Sequence, residues 1–75
     1  MSETSKTRIA TVSAPYGREI WLDDVVFASG MSLLRVTIKE GRRFTQLDLD
    51  RPAAEAWSRV MTDWSREAEM KSKSG

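Results

Sequence analysis

Leu34, Val36 and Ile38 alternate with Arg35, Thr37 and Lys39, and beyond Glu40-Gly41 the apolar side is resumed by Leu47 and Leu49. Successive side chains on a strand point to opposite sides, so this patterning across a tight turn commits Met31–Lys39 and Arg42–Asp48 to a β-hairpin with one apolar face. With Glu40-Gly41 as the loop, Lys39 pairs with Arg42, Thr37 with Phe44 and Arg35 with Gln46. On the other face Val36 meets Thr45, Leu34 meets Leu47, and Ser32 meets Leu49. A slip of one residue would mix the two faces, which is what specifies the register.

The rest of the chain organises around that hairpin. Arg8–Ala14 reads as a first strand through Ile9, Ala10, Thr11 and Val12. Pro15-Tyr16-Gly17-Arg18 reads as a turn, since proline presets φ and glycine permits a positive one. In Glu19–Ala28, Ile20 and Leu22 are out of phase with Val25 and Phe27. An irregularity at Asp23-Asp24, a bulge or a break into two short strands, would restore a single buried face. Ser29-Gly30 suits a two-residue hairpin turn and sets Asp24 opposite Arg35.

A helix closes the chain. Asp50 is the expected N-cap and Pro52 belongs in the first turn. Ala53, Trp57, Val60, Met61, Trp64 and Ala68 recur at steps of three or four and form one apolar stripe. Glu55, Arg59, Asp63 and Glu67 lie off that stripe. The expected fold class is α+β: an antiparallel meander of three to four β-strands followed by one C-terminal α-helix packed on one face of the sheet. In that fold the tryptophan stripe supplies much of the core.

Seventy-five residues make one domain at most. A chain this short hides only about 60% of its unfolded surface, so its stability margin is thin. The domain is expected over residues 8–70, between loose tails at 1–7 and 71–75. With 40% hydrophobic and 31% charged residues the chain is globular in composition rather than disordered.

The absence of cysteine excludes disulfides and thiolate metal sites, and the absence of histidine removes the commonest general base near neutral pH. No run of about 18 apolar residues is present, and Met1–Arg8 lacks the apolar core of a signal peptide. The expectation is a cytoplasmic protein with no membrane contact. Arg8 to Ala68 holds nine basic and nine acidic side chains, a balance that does not call for a polyanionic partner such as duplex DNA.

Asp23-Asp24 is the only adjacent acidic pair. Neighbours on a strand face opposite ways and cannot share a catalytic site, and an ion pair between Asp24 and Arg35 accounts for part of it. Asp48 and Asp50 lack calcium-loop spacing. No catalytic, cofactor-binding or metal residues are therefore assigned, and no cofactor is expected. The face worth testing carries Trp21, Arg35, Lys39, Arg42, Arg43 and Phe44. Cations that track phosphates beside aromatics that stack on bases suit single-stranded nucleic acid. The same face, with Val26 and Leu33, suits a homodimer or another protein partner, since small domains gain missing burial by pairing.

The run YGREIWLDDVVF, then SGM, LLRV, EGRRFT and LDLD, and then the spaced A, W, M and W of the helix, resembles an uncharacterised family of small bacterial proteins. The likeness spans Ala14 to Trp64 and implies a fold without a mechanism. Leu49, Asp50, Pro52 and Trp57 at the helix entry, with the element order, also resemble the PC4-like transcriptional coactivators. Those dimerise and bind single-stranded DNA across a sheet, a fold-level analogy only. The expected role is a non-enzymatic small interaction module, self-associating through the open sheet face. Weak single-strand binding is the alternative.

Overall fold

A computed structural model describes residues 2–74. Its elements are β1 (Glu3–Ala14), a short 3-10 turn (Pro15–Gly17), β2 (Arg18–Phe27), β3 (Ser32–Glu40), β4 (Arg43–Leu49) and α1 (Arg51–Ser74). The strands form one antiparallel sheet in the order β1-β2-β3-β4. Class and element order match the sequence reading. Two boundaries differ. β1 begins at Glu3, so most of the stretch expected as a loose N-terminal tail is a strand. α1 runs to Ser74, through most of the expected C-terminal tail. Met1 and Gly75 lie outside the described residues.

Both hairpin turns differ from the sequence expectation. The β2–β3 loop has three residues: the Phe27 amide donates to the Met31 carbonyl at 2.9 Å and the Gly30 amide to the Phe27 carbonyl at 2.8 Å. Gly30, at φ +89°, takes the left-handed position that such loops require. The extra residue sets Asp23, not Asp24, opposite Arg35. In the β3–β4 hairpin the loop is Gly41-Arg42 rather than Glu40-Gly41, with positive φ at Gly41 alone, as in turns that place glycine first. Val36 therefore meets Leu47 and Leu34 meets Leu49. The shift is two residues in pairing, so Leu34, Val36, Thr45, Leu47 and Leu49 keep the face expected for them, while Arg42 leaves the strand for the turn.

The phase change lies in β1, not in β2. β2 pairs with β3 without interruption through Asp23 and Asp24. In β1 the register jumps between Arg8 and Ala10, leaving Ile9 as the inserted residue of a bulge, and jumps again between Glu3 and Ser5. Arg8 and Ala10 would share a face on a regular strand. The bulge sends Ala10 and Val12 to one side with Leu22 and Ile20, and Arg8 to the other with Asp23.

The sheet thus has two distinct faces. The Leu22 face carries Ala10, Val12, Ile20, Leu22, Leu34, Val36, Ile38, Leu47 and Leu49. The Trp21 face carries Arg8, Trp21, Asp23, Val25, Arg35, Thr37, Phe44 and Asp48.

The helix does not lie across the Leu22 face as expected. Asp50 alone joins β4 to α1, and its carboxylate accepts the Ala53 amide at 2.9 Å while its carbonyl accepts the Ala54 amide. That cap sets the direction of the helix at its first residue. α1 meets the sheet only near its start, where Arg51 and Ala54 border Leu34 and Leu49. Val60 is 68% and Trp64 69% exposed, so the stripe is not part of the core. The buried apolar residues among those described are Val25, Val36 and Leu49. The chain measures 51 × 30 × 15 Å with a radius of gyration of 15.3 Å. A compact chain of this length would have about 11 Å.

Candidate interaction surface

The Trp21 face is partly covered by its own side chains, with Phe44 left 53% exposed. Arg8, Asp23, Arg35 and Asp48 stand in one cross-strand row, one residue from each strand, with alternating charge. Arg8 Nε donates to Asp23 Oδ1 at 2.6 Å. Arg35 donates to both oxygens of Asp48, at 2.9 and 3.1 Å, and to Glu3 at 2.5 Å. A bidentate guanidinium–carboxylate pair is geometrically specific as well as strong. Asp23 is only 2% exposed, which the Arg8 contact permits because a buried charge must be paired.

The aromatic residues extend that cover. Trp21 on β2 and Phe44 on β4 reach across β3, with ring centroids 5.7 Å apart. On β3, Thr37 stands opposite Trp21 and is 3% exposed, while Lys39 stands opposite Phe44. Arg8 sits with its guanidinium 4.6 Å from the Trp21 ring, a cation–π contact, and the Trp21 indole donates to Glu19 at 2.6 Å. Val25 is fully buried on this side of the sheet.

Of the six candidate residues, Trp21, Arg35, Lys39 and Phe44 share this face. Arg43 pairs with Glu40 in register and falls on the Leu22 face, while Arg42 is in the turn. The face reads differently from its residue types, because the Arg35 guanidinium is already occupied by two carboxylates. Arg8 and Asp48, which complete the row, and Glu3, which joins it through Arg35, are not singled out by sequence pattern. Their partnership depends on the Ile9 bulge and on the three-residue turn. Asp23 is neither a bulge nor an exposed strand end, and it faces away from Asp24. Asp50 is used as a cap.

Arg35 holds the Asp48 carboxyl below the usual carboxylate range, chiefly through its hydrogen bond, with burial opposing and the charge of Arg35 adding to the effect. Asp48 in turn raises the Arg35 guanidinium further above its already high value, with Glu3 adding to the effect. Arg18 lowers Glu40 in the same way. A carboxyl whose folded pKa is depressed contributes stability that is complete above its unfolded value and is lost as pH falls through the folded one. The urea midpoint is therefore expected to drop as pH is lowered from about 5 toward 2, and Asp48→Asn is expected to flatten that drop. An unchanged acid slope in Asp48→Asn would show that the pair does not stabilise the sheet.

The other side is open. Val12, Leu47, Trp57, Val60, Met61 and Trp64 are all substantially exposed, on the Leu22 face and on the helix stripe. Ala56, Trp57, Val60 and Met61 line a shallow apolar depression along the helix. Among the described residues no helix is long and apolar enough to cross a membrane.

Residues 3–67 match the model of a family described as a family of unknown function (DUF6967). The chain belongs to DUF6967. The match takes in β1 to β4 and the helix as far as Glu67, so both sheet faces of this DUF6967 chain fall within the family region. No curated protein and no solved structure matches it.

Proposed function

We propose that this DUF6967 chain is a non-enzymatic, cytoplasmic interaction module whose partner is a second copy of itself. The observation that supports the reading is the uncovered apolar surface. A folded monomer of 8.5 kDa exposes about 4,700 Å² by the usual size relation, whereas this chain exposes 6054 Å². The excess of about 1,400 Å² per chain, hidden in a pair, gives about 2,800 Å² in total, within the range of obligate homodimers. Three buried apolar side chains are also few for an independent core.

Sedimentation equilibrium is the test. The expected mass is twice that of the chain across the micromolar range. A single-chain mass at high concentration would defeat the proposal. Single-stranded nucleic acid ranks second, since Arg35 already donates to Asp48 and Glu3 and Arg43 stands on the opposite face.

A further inference from the structure

The Leu22 face and the helix stripe are two apolar surfaces of unlike shape, and each lacks a cover. One residue, Asp50, separates β4 from α1, and its side chain and carbonyl are both engaged in starting the helix. The helix stripe stays off its own sheet, as the exposure of Val60 and Trp64 records. Resting on the dimeric reading above, we propose that the pair is reciprocal: the helix of each copy lies across the Leu22 face of the other.

The dimensions fit. From its first residue to Asp63 the helix advances about 20 Å. Along β3, Leu34 to Glu40 also covers about 20 Å. A helix entering a partner sheet at its Leu34 end therefore brings Asp63 level with the β3–β4 turn.

Charge fits at the same place. Asp63 and Glu67 flank the stripe, and neither has an ion-pair partner among the described residues. Arg43 stands at the rim of the Leu22 face beside that turn, opposite Glu40, whose carboxyl it helps to lower, with Arg42 in the turn; neither arginine forms a salt bridge among the described residues. Two helix-on-sheet contacts related by a twofold axis would cover all four apolar surfaces at once.

The chain has no cysteine, which makes directed cross-linking clean. Two singly substituted chains, Val60→Cys and Leu47→Cys, distinguished by mass, would be refolded together and treated with a short bismaleimide. Both positions are exposed in the single chain, so neither substitution removes a core residue. The expected main product joins one chain of each kind. Predominant Val60→Cys homodimers would overturn the reciprocal arrangement in favour of helix-to-helix packing, leaving self-association intact. A doubly substituted chain, Leu47→Cys with Val60→Cys, that closes on itself as a monomer would overturn it by placing the helix on its own sheet. A single-chain sedimentation mass for the unmodified protein would remove the underlying dimer reading instead.

Discussion

Trp64→Asp is expected to convert the proposed dimer to a monomer, raising its dissociation constant about 100-fold or more, the effect of losing an aromatic anchor at an interface centre. The side chain is mostly exposed within one chain, so the substitution removes almost no intrachain packing. Helix content should persist, because aspartate at an exposed helical position costs only about 0.7 kcal/mol relative to alanine. The loss would come from placing a carboxylate where an apolar sheet face excludes water. Thr62→Asp is the matched control, since position 62 lies on the opposite side of the helix from the stripe. Sedimentation of both variants at equal concentration decides the matter. A Trp64→Asp protein that stays dimeric would exclude the stripe from the interface.

Arg8→Met is expected to cost about 3 kcal/mol in urea unfolding, at the lower end of the loss typical when one member of a buried ion pair is removed. The lower end applies because Arg8 is itself half-exposed, and water can enter where its guanidinium was. The buried Asp23 carboxylate loses its neutraliser, and Trp21 loses the cation at its face. A domain of this size has about 4–11 kcal/mol in total, so the variant would be close to unfolded at warm temperatures. Adding Asp23→Leu should recover much of the loss, because replacing both partners removes the unpaired charge. If Arg8→Met unfolded within about 0.5 kcal/mol of the parent, the pair would be no more than a surface contact.

Strict alternation places β3 and β4 and assigns each of their side chains to a face, and the cap and stripe locate the helix. Sequence pattern does not carry the non-local geometry. A loop of three residues instead of two, and a loop moved by one position, both satisfy the same composition of small turn residues. The out-of-phase Ile20-Leu22 and Val25-Phe27 pairs suggest a defect in β2. The structure accommodates them by using both faces, and moves the defect to Ile9, where nothing in β1 alone reveals it. The stripe reads as core because an apolar face must be covered. Periodicity does not say whose sheet covers it. Trp21, Arg35 and Phe44 do share a face, as alternation implies, but the carboxylates that occupy Arg35 lie 13 and 32 residues away.

The bulges in β1 have a consequence for how such a chain can assemble. A thin sheet with one apolar side left bare invites strand-by-strand growth into fibres, and β1 is an outer strand twelve residues long. Residues inserted at Thr4 and Ile9 break the even spacing of amides and carbonyls that an incoming strand would need. The opposite border, β4, has only seven residues and runs into the helix through Asp50. Growth along the hydrogen-bonding direction is discouraged at both borders, which leaves face-to-face contact as the route open to the self-association proposed above.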